Sequence, residues 1–148
     1  MCREENRVEM EQTIEELIDQ AEVSFIGSVD DEGFPNMKAM LPPRRREGQG
    51  VFYFTTNTSS MRVRQYRDYP QACVYFCNPR TFKGVMLRGT MEVLEDQASK
   101  DLIWREGDTD YYSLGVTDPD YCVLRFTAEN GRFYSHFHSD NFDVSMVR

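Results

Sequence analysis

Met10, Ile14, Leu17, Ile18 and Ala21 recur at the three- and four-residue spacing of a helix, with acidic residues between them. The pattern predicts an amphipathic N-terminal helix over about residues 9–21. Thr13 and Glu16 also form a capping-box pair, which allows a later start near Ile14. In "VSFIGSVDDEGFPNMKAML" the period shortens to that of a strand, an Asp31-Glu32-Gly33 turn and a second strand. Pro35 suits the start of that strand, where no ladder donor is needed. "PPRRREGQG" predicts a turn carrying Arg44, Arg45 and Arg46, read as a solvated hairpin tip. An anion clamp there would need a stiffer platform than a loop. "VFYFTT" predicts a third strand. A helix follows from Ser59 or Ser60 to about Asp68, with Val63 and Tyr66 turned inward and Pro70 ending it. "ACVYFC" and "GVMLRGTMEVL" predict two more strands, Gly84 and Gly89 marking bends or close approaches. Ser99 to Glu106 forms a short helix burying Leu102, Ile103 and Trp104. "YCVLRFTAENGRFYSHFH" predicts a closing hairpin across Glu129-Asn130-Gly131.

Strands therefore dominate: six or seven, antiparallel, with two or three short helices. This spacing belongs to a barrel or a sandwich. No repeat, low-complexity tract or linker interrupts the 148 residues, so the expectation is one domain over 1–148. Ten Phe, eight Tyr and one Trp argue for a packed core and against disorder. A net charge of −8 disfavours general nucleic-acid binding, because phosphate would be repelled. No stretch is apolar enough to span a bilayer, and the charged first residues lack the apolar run of a leader, so a cytoplasmic location is expected. Of the four cysteines, Cys73 and Cys77 share one side of a strand without nearby histidine. They read as buried, reduced thiols of the core rather than as a metal site.

The stretch "FTTNTSSMRVRQ", Phe54 to Gln65, carries the chemistry. A strand end that hands over to a helix start presents unpaired backbone N–H groups and the positive end of a dipole. Thr55, Thr56, Ser59 and Ser60 add hydroxyl donors, and Arg62 adds a planar fork suited to phosphate oxygens. That makes an anion site without a glycine-rich loop. The alternative is an ordinary N-cap at Ser59 or Ser60 with Arg62 on the surface. On this stretch alone the two readings are level.

The serial order tips the balance. A helix, the hairpin "GSVDDEGFPNMKAM", then "YFTTNTSSMRVRQYRDYPQACVYF" and "GVMLRGTMEVLED" resemble, from about Glu15 to Tyr134, the pyridoxamine 5′-phosphate oxidase-like family of FMN-binding split barrels. The resemblance implies a six- to seven-stranded Greek-key barrel and a homodimer with FMN in the cleft between subunits. It places Lys38, Ala39 and Met40 along the flavin ring and Thr56, preceded by Thr55, at the flavin phosphate. The family's Ser-Arg-Lys phosphate triplet reads Ser60-Met61-Arg62 here, so Met61 replaces one of two cations. A flavin-contacting Gln of the oxidases is Gly84 here.

The resemblance implies an FMN-dependent oxidoreductase acting on a small molecule, with the substrate open. Vitamin B6 oxidation is disfavoured, since the C-terminal Arg and His signature of that activity has no good counterpart. The flavin itself performs the redox step, so the lack of a catalytic triad does not argue against an enzyme. The alternative is a non-catalytic flavin- or haem-binding stress protein on the same barrel, with His136 or His138 as axial ligand. A barrel whose cofactor site has decayed is a third reading, favoured by Met61 and Gly84.

Three other constellations remain. His136, His138 and Asp140 would share one face of a strand, but lack a supporting shell, and no metal site is expected. Trp104 reads as a hydrophobic anchor. "DPDY", Asp118 to Tyr121, reads as a turn leading into a strand. Trp104, Tyr111, Tyr112, Tyr121, Phe133 and Tyr134 are more aromatics than one small barrel easily buries, which suits a dimer, although scattered exposed aromatics are normal.

Overall fold

The computed structural model describes residues 2–144. Eight strands are present: β1 (Ser24–Val29), β2 (Pro35–Met40), β3 (Arg45–Glu47), β4 (Val51–Asn57), β5 (Gln71–Asn78), β6 (Lys83–Leu94), β7 (Tyr121–Ser135) and β8 (His138–Asp143). Three helices accompany them: α1 (Cys2–Gln20), α2 (Met61–Asp68) and α3 (Gln97–Ile103). The strands run as one antiparallel sheet in the order β2-β1-β5-β6-β7-β4-β3, with β8 pairing β7. The edge strands β2 and β3 do not pair with each other, so the barrel is split, as expected. Eight strands replace six or seven because β3 is only three residues long and β8 follows its own turn.

Alternation along the strands decides what is inside. Phe52 and Phe54 of β4, Val74 and Phe76 of β5, Val85 and Leu87 of β6, and Leu124 and Phe126 of β7 fill one core. Helix α1 lays Ile14, Leu17 and Ile18 on it. This helix starts well before residue 9. Thr13 is interior to it, its hydroxyl donating to the Glu9 carbonyl at 2.9 Å, so it does not cap.

A second apolar cluster lies on the other face of β4 and β7, where Tyr53, Ile103, Tyr112, Tyr121 and Val123 pack with Trp104. The rings of Trp104 and Tyr121 are 5.2 Å apart, and those of Tyr112 and Tyr121 4.9 Å. Most of the supposed surplus aromatics are thus absorbed within one chain; Tyr111 alone of them is largely exposed, at 74%. Leu102 is exposed, against expectation. Lys100 takes the inward place on α3, its ammonium donating to the Asp118 carbonyl at 3.1 Å and lying over the Tyr121 ring. A long apolar stem with a satisfied head buries as well as a leucine.

Two turn expectations fail for clear reasons. Glu129-Asn130-Gly131 makes no hairpin, because β7 runs straight through it. Instead it carries a bulge: Arg88 pairs with Asn130 and Gly89 with Ala128, so Glu129 is the extra residue opposite the Arg88–Gly89 step. A Cβ on Gly89 would collide with the Thr127 carbonyl, so glycine is required there by close approach. The arginine loop is not a solvated tip. Arg44 makes a two-pronged ion pair with Asp108, at 2.7 and 3.0 Å, and both side chains are nearly buried. Arg46 does the same with Glu15 of α1, at 2.6 and 2.9 Å. Only Arg45 faces solvent, paired with Glu47. Cys73 and Cys77 are half-buried free thiols on the face of β5 opposite the core; Cys122 is the fully buried one.

Candidate functional site

Strand β4 ends at Asn57 and α2 begins at Met61, so Thr58, Ser59 and Ser60 form the corner between them. Neighbouring residues of a strand point to opposite faces. Thr56 therefore turns with Phe52 and Phe54 toward the core, whereas Thr55 turns toward Tyr112 of the second cluster. The structure thus separates Thr55 from the expected phosphate group and keeps Thr56 in it.

Helix α2 follows β4 and packs against β1 and β6. Val63 and Tyr66 are buried as expected, and Gln65 is buried as well. The Tyr66 hydroxyl donates to the Gly27 carbonyl at 2.9 Å, and burial pushes its phenol pKa well up. Ser28 donates to Gln65 Oε1 at 2.6 Å. These two bonds fix the helix on β1. Ser28→Ala leaves a buried amide oxygen unpaired, so it is expected to cost about 1–3 kcal/mol, read as a lower urea midpoint at unchanged slope.

At the start of α2, Ser60 has extended backbone (φ −69°, ψ 149°), as an N-cap does, yet its side chain caps nothing. Its hydroxyl is buried and lacks a hydrogen-bond partner. The Arg62 guanidinium lies alongside: Nε donates to Thr56 Oγ1 at 3.0 Å and Nη2 to Asn57 Oδ1 at 3.2 Å, leaving Nη1 without a bond among the described residues. No acidic residue occupies the first turn of α2. Ser60, Arg62 and the helix N–H groups of the first turn are therefore neighbouring donors, with Thr56 and Asn57 accepting from the Arg62 fork and the helix dipole behind them. Met61 is 63% exposed and adds nothing to the cluster.

Asp120 is the residue that sequence reasoning missed. Its carboxylate accepts from the Ser59 backbone N–H at 2.8 Å, and its carbonyl accepts from the Thr58 N–H at 2.8 Å. It anchors the corner and so sets where Ser60 lies. The "DPDY" turn hinted at a turn role for this aspartate, but not at its distant partner. Ser59 spends its hydroxyl locally, accepting from Asn57 Nδ2 at 3.1 Å.

Lys38, Ala39 and Met40 lie on the edge strand β2. Lys38 pairs with the core residue Ile26, so it stands on the inner face at the open side of the barrel. Met40 packs on the core, and Ala39 is exposed on the outer face. Gly84 does not join these residues within the chain. It sits at the start of β6, whereas α2 meets β6 near Met91, where the Met91 N–H donates to the Pro70 carbonyl. The Tyr75 ring fills the space over Gly84 that a side chain would need.

His136 and Phe137 form the tip between β7 and β8, both with positive φ, at 48° and 64°. His136 therefore is not on a strand and does not share a face with His138 and Asp140. No group of metal-ligating side chains occurs among the described residues. No described helix is long and apolar enough to cross a membrane.

The sequence pattern of pyridoxamine 5′-phosphate oxidase matches residues 10–135. No curated protein matches the sequence significantly. Among solved structures, a protein of Clostridium acetobutylicum related to general stress protein 26 of the pyridoxinephosphate oxidase family is 36% identical. The likeness covers 95% of this chain and 98% of that one, with a TM-score of 0.86. General stress protein 26 of Bacillus anthracis shares the fold at 15% identity, with 90% of this chain and 98% of that chain covered and a TM-score of 0.71. A haem-binding protein of Mycobacterium smegmatis shares it at 14% identity and a TM-score of 0.70, over 93% of this chain and 59% of that one.

Proposed function

Because this chain belongs to the pyridoxamine 5′-phosphate oxidase family, we propose that it binds FMN at the start of α2 and acts as a flavin-dependent oxidoreductase on a small molecule. The observation that carries the reading is the Ser60 hydroxyl, buried without a partner beside the Arg62 fork. Buried polar groups in a folded chain are nearly always satisfied, and the Ser60 hydroxyl, like that of Thr58 in the same corner, is an orphan next to a helix start, a place that suits an anion. Ser60, Arg62 and the N–H groups of the first turn of α2 would hold the flavin phosphate, and Thr56 would hold Arg62 in place. When bound, the flavin supplies hydride and electron transfer. Lys38, on the inner face of the open edge, would line the ring and place a positive charge near it.

The same reading includes a homodimer. Phe34, Met37 and Leu41, in and around the edge strand, are 64%, 72% and 60% exposed. Beside them on the outer face lie Ala39, Cys73, Tyr75, Met86 and Tyr134, with Arg88 opposite Cys73 and Arg132 opposite Met86. A second copy would cover this apolar edge by a two-fold axis. Gly84 lies far along β6 from α2, so it could border a flavin held by the other copy rather than its own.

Among the described residues the corner at the start of α2 offers donors for a single phosphate, so FMN is expected to bind more tightly than FAD. Flavin fluorescence during titration of the apo-protein measures both; tighter FAD binding would overturn the phosphate assignment. The haem reading has a structural neighbour behind it, but His136 and His138 are both exposed at a hairpin tip. Absorbance of the purified protein separates the two: flavin bands support the proposal, and a Soret band would replace it with the haem reading.

A further inference from the structure

Arg3, Arg7, Lys83 and His136 converge on a cleft of about 520 Å³ between α1 and the β7–β8 hairpin. In a chain of net charge −8, three basic residues, Arg3, Arg7 and Lys83, meet here. Glu9 and Asp140 also line the cleft. Arg7 is ion-paired with Glu11 at 3.0 Å. Arg3 and Lys83 have no ion pair among the described residues. Met10 and Phe133 supply an apolar floor.

The two turns that deliver Lys83 and His136 are both conformationally forced. Phe82, directly before Lys83, has φ 56°, and His136 and Phe137 complete a two-residue turn with positive φ at both positions. Such turns ordinarily take Asn and Gly. Non-glycine residues held in this region cluster where a side chain has a task. The cleft is separate from the flavin-phosphate corner: Thr56 of that corner pairs with Cys122 near one end of β7, and Ser135, which lines the cleft, is at the other. Twelve residues of strand, roughly 40 Å, lie between them.

We propose that this cleft is a second binding site, for a small organic anion that joins a phosphate or carboxylate group to an apolar body of about one ring. Its volume suits such a molecule. Lys83 and Arg3 take the anionic group, His136 donates a hydrogen bond at the rim, and Met10 and Phe133 pack against the ring. The proposal does not depend on flavin binding.

Phenyl phosphate is the probe. Titration of the full chain, followed by backbone amide shifts, is expected to move the signals of Lys83, Ser135 and His136. Lys83→Gln and Arg3→Gln should each weaken that binding about tenfold, the loss of one charge-assisted contact. Arg45→Ala, which removes an exposed cation elsewhere, should leave it unchanged. Inorganic phosphate should bind the cleft more weakly than phenyl phosphate, because it lacks the ring. Shifts confined to Thr56–Arg62, no saturable binding, or an affinity within twofold of the parent in both Gln variants would overturn the site. Both positions are outside the core, and the amide spectrum of each variant reports its fold directly.

Discussion

Asp108→Ala is expected to lower the unfolding free energy by about 3–5 kcal/mol, because it strands the nearly buried Arg44 guanidinium. For a chain of this size that is a fall in Tm of roughly 10 °C. The carboxylate does more than pair with Arg44. It accepts the Arg105 backbone N–H at 2.8 Å, and Arg105 in turn donates to the Arg44 carbonyl at 2.9 Å. One aspartate thus ties the loop before β3 to the turn after α3, over the second apolar cluster. Arg44→Leu combined with Asp108→Leu removes both charges and should recover much of the loss, since a paired ion is often replaceable by apolar groups whereas half a pair is not. A single Asp108→Ala variant within 0.5 kcal/mol of the parent would show that the pair is solvated in solution.

The pH dependence follows in sign. Burial alone would raise the Asp108 carboxyl, but the Arg44 and Arg105 hydrogen bonds outweigh it and hold the group below its ordinary value of 3.8. A carboxylate depressed by folding stabilises fully above its unfolded pKa and loses that contribution as the pH falls through the folded value. The parent should therefore destabilise faster than Asp108→Ala on acidification below about pH 4. Denaturant midpoints across pH 2–7 would measure the difference.

How much of this could be read in the sequence depends on range. Strand periodicity, the Pro70 stop and the inward turn of Val63 and Tyr66 are local, and they held. The loop arginines failed because nothing near Arg44 or Arg46 announces a partner; Asp108 and Glu15 are distant in sequence and meet them only through the fold. The Glu129-Asn130-Gly131 reading failed in a related way. Asn-Gly is a good turn signal, and only the facing strand, with Gly89 pressed on Thr127, converts it to a bulge. At the candidate site, Thr56, Ser60 and Arg62 were legible because strand end, cap and helix start are contiguous. Thr55 was grouped with them by adjacency, although adjacency on a strand guarantees opposite faces. Asp120 was not legible, since its role rests on a hydrogen bond to a residue sixty-one positions away.

Arg62→Ala is expected to weaken FMN binding by about ten- to a hundredfold, the worth of one or two charge-assisted hydrogen bonds to phosphate. Arg45→Ala should leave it unchanged, because Arg45 pairs with Tyr53 on the face of the sheet opposite Thr56, half-exposed and paired with Glu47. Arg62 also holds Thr56 and Asn57, so a loss of affinity on its removal could reflect a loosened corner. Ser60→Ala separates the two causes. In the free protein the Ser60 hydroxyl is buried and unsatisfied, so removing it should leave stability unchanged or raise it. In the complex the same hydroxyl would donate to the phosphate, so removing it should weaken FMN about tenfold. Only a residue reserved for an anionic ligand shifts stability and affinity in opposite directions. Thermal denaturation without flavin and fluorescence titration with it give the two numbers on one preparation. If Ser60→Ala both destabilises the free chain and binds FMN as tightly as the parent, the hydroxyl is a structural cap and the phosphate lies elsewhere.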